Sequence, residues 1–292
     1  MGRRIESPSS INTYQQCPRK YFYRYVLKLP SGSNIHLIRG KVVHSVLEDF
    51  FTLNLDGLHN NNFEEYFAQH LLSLFHLHWG KAIPDFHSLS LSKEDIRKYY
   101  TDSLVMLENF LRMFSQRIRN YIAVKHVSFP AAFYSLKPLA EVGYSSESFA
   151  VRGFIDAIEQ REDGVYLIDY KTSNKFEVTT EYRLQLGIYA LLYYEKHGVL
   201  PQMVGIYFLK FGEKYLPVDE QLLRYAKKEI QYVHERTGSN SIEDYPKNVS
   251  PLCKWSTGQC DYYDVCFGQK TLDAFTHELV HIKTDVPSET ND

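Results

Sequence analysis

No apolar run in this 292-residue chain approaches the length of a membrane span. The opening MGRRIESPSS also has no apolar core of a secretory signal. From these two lacks we expect an intracellular, cytoplasmic protein with no membrane partner. Charge of one sign is lacking as well. With 33 Lys+Arg against 35 Asp+Glu the formal net charge is −2, so a polyanion would have to meet a local basic patch. Cysteine is scarce, with four in the chain at positions 17, 253, 260 and 266. In a reducing compartment such residues serve as metal ligands or buried thiols more readily than as disulfides. Tyrosine and phenylalanine are plentiful, at 23 and 18. They suit either stacked bases or a tyrosine-rich core.

The stretch from Phe149 to Lys175 organises the rest. FAVRGFIDAI and GVYLIDYKT are rich in β-branched and aromatic residues, with Asp163-Gly164 between them as a two-residue turn signal. That loop predicts Asp156 opposite Lys171, with Asp169 as the diagonal neighbour on the same face. Two carboxylates and an ammonium thus share one patch inside apolar runs. An uncompensated carboxylate there would be costly, so the patch implies a salt bridge or a bound cation.

Ser7-Pro8 starts a helix. It is expected to run INTYQQCPRKYFYRYVLKL with a kink at Pro18. Arg19 and Arg24 sit there among tyrosines, an alternation that suits a nucleic-acid strand or an ordinary amphipathic helix. PSGSN reads as a loop, and KVVHSVLEDFFTL as a helix with His44 and Glu48 on one face. Helices over about 63–79 and 93–123, separated by a turn at AIPDFHSLS, read as a helical insertion spanning about 52–125. His70, His76 and His78 in it are taken as structural. PLAEVGY reads as a strand leading into the hairpin, with Glu141 as a candidate third carboxylate. EYRLQLGIYALLYYEKHG follows as a helix bearing Gln185 and Tyr189 on one face, and MVGIYFLKF as an apolar strand. DEQLLRYAKKEIQYVHERTG is a further helix. The order predicts an α/β core with a central mixed sheet flanked by helices. We expect one domain over 1–270, with 271–292 a helix end and disordered tail.

Cys253, Cys260 and Cys266 lie in PLCKWSTGQCDYYDVC with no CxxC. The spacing alone leaves four buried thiols as open as a metal site.

Taken together, these motifs resemble the PD-(D/E)xK nucleases of the RecB type. The likeness is to the iron–sulfur branch that includes the small nuclease of CRISPR adaptation modules and the AddB nuclease domain. SxSxINTYQQCPRKYFYRYVLKL resembles the N-terminal signature and GKVVHSVLEDF the histidine motif. GFID, IDYK, QLGIY and CDYYDVC follow in the family's order. Six residues separate Cys253 from Cys260, where the family commonly sets these cysteines closer.

The resemblance implies a restriction-endonuclease-like core hydrolysing DNA phosphodiesters, as an exonuclease on single strands or ends. It implies Asp156, Asp169, Lys171, Gln185 and Tyr189 as catalytic residues, and His44, Asp156 and Asp169 as ligands of Mn²⁺ or Mg²⁺. Cys17, Cys253, Cys260 and Cys266 would hold a 4Fe–4S cluster, with zinc the less favoured occupant, and Arg19 and Arg24 would contact DNA. Partners in CRISPR adaptation or a helicase complex follow from the same likeness. Two other readings stand beside it: a non-catalytic DNA-binding module of this fold, and a zinc-stabilised RNA-processing nuclease.

Overall fold

The computed structural model describes residues 3–89, 91–256 and 258–276. The expected tail beyond 276 lies outside the described residues. Two compact units emerge, residues 33–228 and the described parts of 1–32 and 229–292.

In the larger unit four helices come first: α3 (Ile35–Phe50), α4 (Phe63–His87), α5 (Lys93–Lys125) and α6 (Phe129–Leu136). Then come β1 (Leu139–Ser146), β2 (Val151–Arg161), β3 (Gly164–Lys171), α7 (Thr180–His197), β4 (Met203–Phe208) and β5 (Gly212–Pro217). Helix α8 (Glu220–His234) follows, and the unit ends within it at Lys228. The strands form one mixed sheet in the order β1-β2-β3-β4-β5. Only β3 and β4 run parallel, because α7 carries the chain across between them.

Each face of the sheet has its own helical cover. Ala157, Tyr166, Ile168, Tyr170 and Tyr207 point into a core shared with α3 to α6, rich in interlocked phenylalanines such as Phe50, Phe67, Phe110 and Phe114. The segment 52–125 therefore supplies a packed layer of this core. On the opposite face α7 buries Leu184, Ile188 and Leu191. Gly187 lets it close on α8, where a Cβ would meet Ala226 at 3.2 Å and Leu222 at 3.3 Å.

Five expectations change. The hairpin pairs Arg161 with Gly164, so the loop is Glu162-Asp163 and Gly164 closes it at φ +137°. Asp156 consequently does not face Lys171. The β2–β3 ladder ends at Ala157–Ile168, and Asp156 and Asp169 are the first positions beyond it. All three charged side chains keep their shared face because the register moved by two residues. The N-terminal helix is broken: α1 (Pro8–Gln16) stops at Cys17, which is extended at φ −161°, and α2 (Pro18–Tyr21) starts afresh. A proline ring disfavours helical backbone in the residue before it and suits the first helical position. A π-helical turn, Phe22–Val26, follows. Helix α4 continues through Pro84 to His87, where Trp79 stacks on Phe86 at 4.5 Å, so AIPDFHSLS is not a turn throughout. Helix α3 starts at Ile35, capped by the Asn34 side chain on Leu37 N–H. MVGIYFLKF ends as a strand at Phe208 and turns into β5.

The smaller unit has a tyrosine core. Tyr14, Tyr21, Phe22 and Tyr245 pack ring on ring, and the Tyr21 hydroxyl donates to the buried Glu6 carboxylate. In it lie a short ladder of β6 (Lys254–Trp255) with β7 (Gly258–Gln259), and α9 (Tyr263–Cys266). Among the described residues no helix is long and apolar enough to cross a membrane.

Candidate active site

The site forms where β2 parts from β3. Beyond Ala157, β2 continues its pairing with β1 alone, and Asp156 Oδ2 accepts the Tyr170 N–H at 2.7 Å. A side-chain carboxylate thus takes a backbone donor of β3 as the strands separate. Asp169 lies at the end of the same opening and is only 2% exposed.

Around Asp169 the contacts close on themselves. Lys171 Nζ is 2.5 Å from Asp169 Oδ2 and donates to Gln185 Oε1 at 3.1 Å. Gln185 Nε2 donates to Asp169 Oδ1 and to the Tyr189 hydroxyl, both at 2.7 Å. Gln185 and Tyr189 reach the site together because they are one helical turn apart on α7. Gly153 of the GFID motif makes room for that ring, since a Cβ there would meet Tyr189 Cε1 at 3.0 Å.

A second group faces it. His44, on α3, brings Nδ1 to 3.4 Å from Asp156 Oδ2 and 3.9 Å from Glu141 Oε1. Glu141 is opposite Asp156 in the β1–β2 register, between the paired Ala140 and Val142. Its backbone is left-handed at φ +49°, a conformation that costs a non-glycine residue roughly 1–2 kcal/mol. His44, Glu141 and Asp156 each offer a ligand atom within 4.8 Å of the others. Glu141 lies outside the ligand set that the resemblance implies. Its carboxylate in the strand before the hairpin was the available signal.

The electrostatics follow from burial opposed by pairing. Burial and the nearby Asp156 push the Asp169 carboxyl up to about 6, with Lys171 opposing. For Lys171, burial favours loss of the proton, but Asp169 outweighs it and the pKa rises. Burial works against charge on His44 too. Pairing with the Asp156 and Glu141 carboxylates prevails, and its pKa is pushed up to about 10. Asp156 is held below the usual carboxylate range because His44 overcomes its burial. An imidazole with two carboxylates in convergence is a donor set that fits a divalent cation such as Mn²⁺ or Mg²⁺.

A family model for the PD-(D/E)XK nuclease superfamily matches residues 6–267. The chain belongs to this superfamily. Its mixed five-stranded sheet flanked by helices is consistent with the restriction-endonuclease-like core, and nucleases of this superfamily use divalent metals. Among solved structures, a protein of Eubacterium rectale described as a "Putative exonuclease" covers 92% of this chain and 89% of its own. Its identity is 13% and its TM-score 0.48. No curated protein matches the chain.

Of the residues that the superfamily resemblance singled out, the structure brings Asp156, Asp169, Lys171, Gln185, Tyr189 and His44 together. Asp169 turns its oxygens to Lys171 and Gln185, and Glu141 joins His44 and Asp156 in the close group of three. The four cysteines are all free thiols in the smaller unit. Cys17 contributes to the raised pKa of both Cys260 and Cys266, whose main cause is burial. Cys260 N–H donates to Cys253 O at 2.9 Å. Asn248 donates to Gln16 O at 2.8 Å, and its carbonyl is 3.7 Å from Cys253 Sγ. No three of the thiols come within 4.8 Å of one another. Arg19 is committed elsewhere, donating to Tyr245 O at 2.7 Å and Ile242 O at 3.2 Å. Arg24 is exposed, with its guanidinium 5.5 Å from the Tyr25 ring.

Proposed function

We propose that this protein is a metal-dependent deoxyribonuclease, acting as an exonuclease on single-stranded DNA or on DNA ends. The observation that carries the reading is the Asp169–Lys171–Gln185 ring set against the His44–Glu141–Asp156 group at the parting of two strands. A surface salt bridge needs neither a glutamine clamp nor a second acidic group facing it.

His44, Asp156 and Asp169, with Glu141, are the residues that would hold the cation. When bound, a divalent ion neutralises phosphate charge and makes a nucleophile available near neutral pH. Lys171 keeps its proton because Asp169 lies beside it, so it presents a fixed positive charge to a phosphoryl oxygen. Gln185 fixes both partners, and Tyr189 fixes Gln185. His44 carries a proton that a cation must displace, so cation loading releases protons.

In the smaller unit, Cys17 lies close enough to Cys260 and Cys266 to influence both, and Cys253 accepts the Cys260 N–H through its carbonyl, which supports a 4Fe–4S cluster on the four thiols. Arg24 remains available as a DNA contact. Arg19 serves the fold through its two carbonyls. CRISPR-adaptation or helicase partners, and a single domain over 1–270, remain part of this reading.

The test is cleavage of end-labelled single- and double-stranded DNA in Mn²⁺ or Mg²⁺ by the wild type, Asp169→Ala and Lys171→Ala. We expect degradation by the wild type and none by either variant. Cleavage persisting in both variants would sink the site assignment. A wild type that binds DNA and never cuts it would favour the non-catalytic module.

A further inference from the structure

A run of aromatic rings leads away from Lys171. Its Nζ lies 5.2 Å from the Tyr182 ring centroid, on the α7 face that carries Gln185 one turn later. Tyr182 neighbours Phe208 at 6.2 Å, Phe208 neighbours Phe176 at 5.4 Å, and Phe176 neighbours Phe211 at 5.7 Å. Phe208 is buried and anchors the run. Phe176 and Phe211 are 42% and 52% exposed, side by side on the two loops that leave the carboxyl ends of the parallel strands β3 and β4.

Charge around the rings is of one predominant sign. Segments 171–177 and 210–214 carry four lysines and two glutamates, Glu177 and Glu213. Lys214 Nζ sits 4.2 Å from the Phe176 ring centroid and donates to Phe176 O at 2.9 Å, which fixes that ring. Lys210 Nζ donates to Asn174 Oδ1 and to Asp102 Oδ2, both at 2.8 Å, tying the loop after β3 to α5. Phe211 also borders a cavity of about 550 Å³ lined by Asn109, Arg112, Gln116 and Lys210.

Exposed rings interleaved with ammonium groups are the combination that binds unpaired nucleotides, since bases stack on ring faces and phosphates meet cations. In a duplex the base faces are covered by their neighbours, so the rings have no equivalent contact to offer it. We propose that Phe176 and Phe211 are a stacking platform for unpaired bases of a single DNA strand whose backbone leads to Lys171. Lys175, exposed beside Phe176, meets its phosphates, while Lys210 and Lys214 fix the two loops that carry the rings. This deepens the nuclease reading and rests on it for the direction of the strand.

Binding is measured in the Asp169→Asn background with chelator present, so that cleavage plays no part. The probes are a fluorescein-labelled oligothymidylate of about a dozen nucleotides, a blunt DNA duplex and an oligouridylate. Phe176→Ala/Phe211→Ala should weaken oligothymidylate binding about tenfold or more and leave the duplex within about twofold. Phe176→Leu/Phe211→Leu should lose nearly as much, and the double Trp variant should retain binding. Unchanged thermal unfolding shows that the variants fold. Oligothymidylate affinity unaffected by the alanines, or an equal loss on duplex, overturns the platform. Tighter binding of oligouridylate overturns its assignment to DNA. A platform effect without any cleavage by the Asp169 parent in Mn²⁺ refutes the nuclease reading and leaves the platform standing.

Discussion

The Gln185 amide donates to Asp169 Oδ1 at 2.7 Å. The same side chain accepts from Lys171, so one glutamine sets the spacing of the carboxylate and the ammonium. Removing it as Gln185→Ala should lower kcat about 10- to 100-fold, the usual cost of losing a residue that orients a metal-site group. KM should barely move. Tyr189→Phe removes only one acceptor of that amide and should cost a few-fold, consistent with about 1 kcal/mol for a hydrogen bond. Steady-state cleavage of labelled single-stranded DNA in Mn²⁺ measures both.

Glu141 sets chemistry against stability. Its left-handed backbone should be relieved by glycine, whereas glutamine removes the charge and keeps the strain. Glu141→Gly should therefore be about 1 kcal/mol more stable than Glu141→Gln in urea unfolding. Both should cut more slowly than the wild type. Equal stability of the two would refute the strain argument.

Glu159 gives a pH prediction away from the site. It is buried and accepts from Arg117 Nη1 and Nη2, both at 2.7 Å, and from Arg161 Nε at 2.8 Å. Burial raises its pKa, but Arg117 and Arg161 hold it below the ordinary 4.5. A depressed carboxylate contributes stability above its unfolded value, and this is lost as pH falls through the folded one. Glu159→Gln should lose about 1.5–3 kcal/mol at neutral pH, where it removes the carboxylate shared by two half-buried guanidinium groups. Its deficit should shrink as the wild type is acidified below about pH 4.5. Urea midpoints at the two pH values decide.

The cysteine reading has a stoichiometric consequence. Anaerobically purified protein should carry about four iron atoms per chain and the visible absorbance of an iron–sulfur cluster, and Cys17→Ser should lose both. One zinc and no colour would replace the cluster with a zinc site.

How far the sequence reached depends on the range of the signal involved. The GFID and IDYK runs marked β2 and β3 because apolar alternation and turn residues are local. Asp163-Gly164 was a strong turn signal, yet the loop closes one residue earlier, which shifts the pairing by two, with positive φ at Gly164 alone in the turn. Strand β5, GEKYLP, has little alternation of its own and is held by pairing with β4. Glu141 could not be ranked as a ligand without the β1–β2 register. Arg19 looked like a nucleic-acid contact because its two carbonyl partners lie more than two hundred residues away.

At the parting of β2 and β3, the Tyr170 amide proton is held by a carboxylate of the candidate metal site. Its chemical shift and exchange rate should therefore respond to whatever draws charge from Asp156. A titration with Mg²⁺ would be read at a single backbone resonance, without substrate and without turnover. The sheet carries its own spectroscopic probe of the site it supports.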